Sequence, residues 1–110
     1  MKLVTAMIPP NHLEALKKAL WENGFRSLTV SPAEGMGFQK TSMAAEDDFV
    51  VAMSPRLRVE VAVKDSAVDK LLELAVEALR TGRVGDGKIF VTPLDEVLRV
   101  RTGERGETAL

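Results

Sequence analysis

Thr81-Gly82-Arg83-Val84-Gly85-Asp86-Gly87-Lys88-Ile89-Phe90-Val91 sets three glycines, an aspartate and a lysine between a predicted helix and a predicted strand. Glycine backbone N–H groups can approach an anion closely, and a lysine beside them supplies a point charge for phosphate. A second basic element, Arg99-Val100-Arg101-Thr102-Gly103-Glu104-Arg105, follows shortly after. If the intervening strand turns back, both segments meet at one anionic ligand, and together they point to a binder of a nucleotide phosphate. Arg99 and Arg101 lie two apart, so on an extended segment both side chains point to one side. The plainer alternatives are a glycine-rich helix-to-strand turn with a surface lysine, and a solvated edge strand with two arginines. Gly82 to Ile89 nearly matches the pattern G-x-x-x-x-G-K-[ST]. Ile89 stands where a magnesium-binding hydroxyl is needed, and the segment leads into a strand rather than a helix, which excludes an ATPase of that type.

Other reactive residues point to little chemistry. His12 is the only histidine and follows a predicted helix cap, where exposed histidines are common; nothing in the sequence supplies partners for a metal site or a triad. The absence of cysteine excludes disulfides, thiol catalysis and cysteine metal sites. Gln39 and Arg56, taken as residues alone, read as a loop glutamine and a strand-start surface charge. Glu46-Asp47-Asp48 reads as a solvated acidic loop tip or, more sharply, as a docking surface for a basic partner. Trp21 and Phe25 read as core or oligomer contacts.

The chain of 110 residues is one domain long, and at 45% hydrophobic it can build a packed core. A net charge of −1 argues against nucleic acid as a partner. No apolar run approaches the roughly 20 residues of a membrane helix. The opening Met1-Lys2-Leu3-Val4 reads as a strand rather than a signal peptide. A cytoplasmic protein that reaches a membrane only through a partner is expected.

The elements that must position these residues follow from periodicity. Lys2–Ile8 is an apolar strand stopped by Pro9-Pro10. Asn11 with Glu14 approximates a capping box, and Leu13, Leu16 and Leu20 make a helical stripe ending near Asn23-Gly24. Ser27–Ser31 alternates as a second strand. Ala33–Ser54 sustains neither period and reads as a long loop of functional kind, with Phe49–Met53 as a returning β-like arm. In Arg56–Val63, Leu57, Val59, Val61 and Val63 face one side and Arg56, Arg58, Glu60 and Ala62 the other. Asp65 or Ser66 can cap a helix carrying Val68, Leu71, Leu72, Ala75 and Leu79. Lys88–Thr92 is a fourth strand, Leu94–Val97 a turn of helix, Leu98–Arg101 a short extended piece, and residues 102–110 a mobile polar tail. The order is α+β, a ferredoxin-like β-α-β-β-α-β sandwich: a four-stranded antiparallel sheet with two helices on one face. The other face is also apolar in part and needs a cover, which a self-associating oligomer provides.

With Thr81–Val91 and Arg99–Glu104 together, and with Thr29-Val30, Gly35, Gly37, Gln39-Lys40 and Pro55, the chain resembles the PII nitrogen-regulatory signal-transduction family over essentially its whole length. The resemblance implies a ferredoxin-like homotrimer of single-domain chains. ATP or ADP would bind in clefts between subunits, with 2-oxoglutarate beside Mg-ATP, and the long loop (the family's T-loop, here 33–54) would dock on targets. Carried over by position, Gly85, Asp86, Gly87 and Lys88 fall in the phosphate loop, and Arg99 and Arg101 form the basic pair at the phosphates. Thr29 and Glu60 fall near adenine and ribose, Ala62 joins the nucleotide-binding set, and Gly35 and Gly37 fall at the loop base. Gln39 matches the residue that helps hold Mg2+ and 2-oxoglutarate, and Arg56 the basic partner of the far carboxylate. Implied partners are an ammonium transporter, a nitrogen-assimilation enzyme, or another transporter or metabolic enzyme; the protein would not be an enzyme itself.

Three departures qualify the resemblance. Phe38 stands where an arginine is common, removing a charge from the phosphate region. Arg56 stands where lysine is typical, exchanging a point charge for a bidentate fork. The loop is about two residues shorter than the common form, and the chain has no tyrosine, so uridylylation or adenylylation of a loop tyrosine is impossible. These features keep open a divergent sensor of adenine nucleotides, with another small anion such as bicarbonate or with no 2-oxoglutarate response.

Overall fold

The computed structural model describes residues 1–40 and 49–110. Alternation decides the sheet. In β1 (Lys2–Ile8), Val4, Ala6 and Ile8 are buried while Leu3, Thr5 and Met7 are half-buried, because successive strand side chains point to opposite faces. The same alternation buries Val59, Val61 and Val63 in β3 (Phe49–Val63). With β2 (Thr29–Lys40) and β4 (Lys88–Pro93), these strands form one sheet in the order β2-β3-β1-β4, every neighbour antiparallel.

Two amphipathic helices cover one face of this sheet. Helix α1 (Leu13–Glu22) contributes Leu16 and Leu20, and α2 (Val68–Leu79) contributes Leu71, Ala75 and Leu79. These meet the buried strand valines and Ile8 in a single core. Each fully buried aliphatic side chain there contributes about 1.5–3 kcal/mol of transfer free energy. The expected ferredoxin-like sandwich is therefore the observed fold.

Both helices begin differently from the sequence reading. A 3-10 turn, Pro10–His12, leads into α1, and its end is closed by His12 N–H donating to Pro9 O at 3.1 Å. Asn11 lies inside that turn, so the Asn11–Glu14 capping box does not form. A second 3-10 turn, Asp65–Ala67, leads into α2 without a side-chain cap. Asp65 instead accepts the Met1 amino group at 2.9 Å, a contact that holds its carboxyl below the ordinary carboxylate value. The end of α1 agrees with expectation: Asn23 Nδ2 donates to Ala19 O at 2.7 Å, and Gly24 takes φ +92°.

Two further segments depart from the sequence reading. Within Ala33–Ser54, β2 runs on to Lys40 and β3 starts at Phe49, paired without interruption from Thr29↔Glu60 to Lys40↔Phe49. Residues 33–40 are thus strand rather than loop, and the returning arm expected over Phe49–Met53 is its partner in a two-stranded ribbon. A ladder satisfies backbone N–H and C=O groups whatever the side-chain pattern, so this pairing needs no sustained period in the sequence. Residues 41–48, which include the acidic run Glu46–Asp48, lie outside the described residues.

The C-terminal part is the second departure. Leu94–Val97 forms no helical turn, and Leu98–Arg101 is not a continuous extended piece. Leu98 pairs with Arg105 in an isolated bridge, closing a turn in which Arg99 N–H donates to Glu104 O (2.9 Å) and Gly103 N–H to Arg99 O (2.8 Å). The expected mobile tail is a 3-10 turn over Gly106–Ala109, tied back by Gly106 N–H to Val97 O at 2.9 Å.

A candidate anion groove

The loop from α2 to β4 is built around one carboxylate. Asp86 Oδ2 accepts Thr81 N–H at 2.8 Å and Gly82 N–H at 2.9 Å, and Oδ1 accepts the Thr81 hydroxyl. The Thr81 hydroxyl oxygen in turn accepts Arg83 N–H at 3.3 Å. Led by the Thr81 hydroxyl, these donors hold the Asp86 carboxyl below its ordinary value of 3.8. Asp86 therefore lines the groove as the organiser of the loop, its oxygens already committed to the loop's own donors.

Glycine is required where this loop meets the sheet. Gly87 has φ +102°, and a Cβ there would lie 2.0 Å from Met7 O. Without a side chain, the loop drops against β1, and Lys88 enters the ladder opposite Met7. Gly85, at φ +104°, faces more open space, with Arg56 Nη2 3.9 Å from its notional Cβ.

Arg56 joins the loop to the ribbon. Its Nη1 donates to Pro55 O at 3.0 Å, and its Cγ would lie 3.5 Å from a Cβ on Gly35. Gly35, Gly37, Arg56, Gly85, Asp86, Gly87 and Lys88 thus line one open groove of about 470 Å³, together with Met7, Met36, Arg83, Val84 and Phe90. Among the described residues, Arg56, Arg83 and Lys88 form no ion pair. With Asp86 engaged by its own loop, the groove presents free cations and glycine backbone to an anion.

The rest of the sequence-selected set lies elsewhere on the chain. Thr29 and Glu60 are cross-strand partners on the helix-free face of the sheet, and exposed Ala62 shares that face. Arg99 and Arg101 belong to the C-terminal turn, with Arg101 exposed. Arg99 is engaged: Nη1 donates to Glu104 Oε1 at 3.0 Å and Nη2 to Leu110 O at 3.2 Å. The turn at Val100–Thr102 removes the extended geometry on which a common direction for the two arginines rested. Phe38 and Gln39 occupy ribbon positions opposite Val51 and Val50. Met7 had no signal in the sequence, because the register that brings it against Lys88 is a cross-strand property. Arg83 carried one, as a cation inside the glycine loop.

Comparison with known proteins identifies the family and agrees with the fold. The profile of the Nitrogen regulatory protein P-II family matches residues 1–104. Nitrogen regulatory protein P-II of Azospirillum brasilense is 45% identical, and nitrogen regulatory protein GlnK of Escherichia coli K12 40% identical. Both alignments cover 100% of each chain and run over 112 positions, two more than this chain has. A solved structure of B. subtilis GlnK superposes with a TM-score of 0.83 at 36% identity, covering 99% of this chain and 97% of the other. A B. subtilis GlnK–ATP complex does so with a TM-score of 0.83 at 37% identity, covering 99% and 96%. These relatives carry regulatory names, in keeping with a signalling rather than a catalytic role. A family match over residues 1–104, relatives aligned over the whole chain, the shared fold and a cationic glycine groove where the family resemblance places its phosphate loop lead to one conclusion: this chain belongs to the nitrogen regulatory P-II family of signal-transduction proteins.

Proposed function

We propose that the chain forms a homotrimer, binds ATP and ADP in the clefts between subunits, and signals their occupancy through the 33–54 arm to a partner in nitrogen metabolism. The observation that carries this reading is the convergence of Gly35, Gly37, Arg56, Gly85, Gly87 and Lys88 on one groove whose three cations, Arg56, Arg83 and Lys88, form no ion pair among the described residues. A solved GlnK–ATP complex of the same fold supports it. The division of the remaining residues supports the cleft. Thr29, Glu60 and Ala62 on the sheet face, and Arg99 and Arg101 on the C-terminal turn, do not reach the groove of their own chain. A neighbouring subunit's copies would complete it.

Mg2+ fits this site as a phosphate-borne ion. Among the described residues there is no cluster of three or more His, Cys, Asp or Glu side chains able to hold a metal, and magnesium is commonly held by phosphates, waters and one or two protein oxygens. Gln39 would supply an amide oxygen, and the bound ion would neutralise phosphate charge. Arg56, at the junction of ribbon and glycine loop, would grip the far carboxylate of 2-oxoglutarate. Docking on an ammonium transporter, a nitrogen-assimilation enzyme or another transporter or metabolic enzyme is the output. A second reading, adenine-nucleotide sensing with bicarbonate or without 2-oxoglutarate, is favoured by Phe38 standing in place of the family's common arginine and by the shortened loop.

Calorimetric titration with ATP and with ADP in magnesium buffer, with and without 2-oxoglutarate, tests both readings. Nucleotide binding with a 2-oxoglutarate response that appears only with Mg-ATP supports the first. Nucleotide binding without that response moves the assignment to the second. Absence of nucleotide binding overturns both. In the same assay Lys88→Ala should cost about 1.5–3 kcal/mol, a roughly ten- to hundredfold loss of ATP affinity. Deleting Thr41–Asp48 should leave ATP affinity nearly intact and abolish partner capture; loss of ATP binding in that variant would count against separate roles for arm and cleft.

A further inference from the structure

The two arginines of the C-terminal turn are held differently. Arg101 is exposed and has no ion-pair partner among the described residues. Arg99 is clamped. Its Nη1 donates to Glu104 Oε1 at 3.0 Å and its Nη2 to Leu110 O at 3.2 Å. Its backbone is clamped as well, by Arg99 N–H to Glu104 O at 2.9 Å and Gly103 N–H to Arg99 O at 2.8 Å. Glu104 therefore holds the main chain of Arg99 with its carbonyl and the guanidinium with its carboxylate. Gly103, at φ +73°, lets the turn bring the two residues face to face.

A guanidinium has five N–H donors in a fixed plane. Two are spent on Glu104 and Leu110 O, and three remain for another anion. Ordering a long side chain on binding costs about 0.5–1.5 kcal/mol, and an arginine already ordered by its neighbours avoids that cost. The Leu110 contact extends the clamp to the 3-10 turn Gly106–Ala109, whose own anchor is Gly106 N–H to Val97 O at 2.9 Å.

We infer that Glu104 is a positioning residue for phosphate recognition: it pre-orders the Arg99 guanidinium, leaving Arg101 as the mobile member of the pair. This rests on the reading of Arg99 as a phosphate contact. The opposite role has a clear physical basis, since a carboxylate beside the guanidinium repels an incoming phosphate and competes for its donors. The two roles predict opposite signs. Glutamine at position 104 separates them, because it keeps an acceptor oxygen for Nη1 and removes the charge.

ATP affinity is measured by calorimetry on the full chain carrying Glu104→Ala, Glu104→Gln, Arg99→Ala, Arg101→Ala, and each arginine variant combined with Glu104→Ala. Positioning predicts a loss of roughly three- to tenfold in Glu104→Ala. It also predicts recovery to within about twofold of the parent in Glu104→Gln, no added loss in Glu104→Ala with Arg99→Ala, and full additivity with Arg101→Ala. A general effect on folding would not vanish specifically when Arg99 is absent. Tighter ATP binding in both Glu104 variants overturns the proposal in favour of competition. Unchanged affinity in Glu104→Ala, or an equal loss with and without Arg99, also overturns it. If the parent chain binds no ATP, the nucleotide reading itself has failed, a result distinct from any of these.

Discussion

At Gly87 the chain has no room for a side chain, since a Cβ would stand 2.0 Å from Met7 O. Gly87→Ala therefore combines a backbone collision with left-handed strain that alone costs about 1–2 kcal/mol. Gly85→Ala carries similar strain at φ +104° but meets no atom closer than 3.9 Å. Urea titration at a fixed protein concentration should place Gly87→Ala below Gly85→Ala, and both below the parent; equal midpoints would refute the close approach. Asp86 gives the same loop a pH dependence. Its folded carboxyl is depressed below 3.8, first by the Thr81 hydroxyl and then by backbone N–H groups. The contribution is therefore present above 3.8 and lost as pH falls through the depressed folded value. Amide exchange at Thr81 and Gly82 should accelerate on that acid limb, and Asp86→Asn should remove the limb. The sequence named Gly85, Asp86, Gly87 and Lys88 as one ligand-binding set. Its division into an organiser, a contact glycine and a free cation depends on where each side chain's partners lie, which spacing does not encode.

Among the elements, the two helices and the strands β1, β3 and β4 were legible, and the extension of β2 was not. Leu16 and Leu71 sit on predicted stripes and are almost fully buried beneath the sheet. Either changed to alanine should cost about 2–5 kcal/mol, read as a lower urea midpoint at fixed protein concentration; a cost under 1 kcal/mol would contradict the packing. In β3 the alternation from Leu57 to Val63 was read correctly because one face meets the helices. The returning arm expected over Phe49–Met53 is the start of β3, whereas the continuation of β2 to Lys40 was not read from the sequence, because the ladder that sustains it pairs residues far apart in the chain. Helix starts were missed for a related reason. Asn11 and Asp65 are good cap residues by type, but 3-10 turns precede both helices, and Asp65 has the Met1 amino group as its partner.

For the whole molecule, the helix-free face of the sheet is the feature that a single chain leaves unresolved. Leu3, Thr5 and Met7 of β1 point there beside Ala62 and exposed Phe90, and among the described residues no helix covers them. A homotrimer would bury this face and bring Thr29 and Glu60 toward a neighbour's groove. Leu3→Lys should therefore weaken assembly, seen by light scattering as a lower mass at low micromolar concentration, and should weaken ATP binding along with it. An unchanged mass would argue that this face is not the contact. The charge would act through the interface, since Leu3 points away from the helical core.

By itself the sequence determined the class of fold, the two helix stripes, the core faces of β1 and β3, and the glycine–lysine loop. Each of these is written in local periodicity or in a short run of special residue types. Tertiary structure alone decided that Arg56 reaches from the ribbon base to Gly85, that Gly87 rests on Met7, and that Glu104 and Leu110 hold Arg99. It also decided that Thr29, Glu60 and Ala62 lie apart from the groove. The physical reason is that strand register and turn closure set these distances, and both are fixed by contacts between residues far apart in the chain.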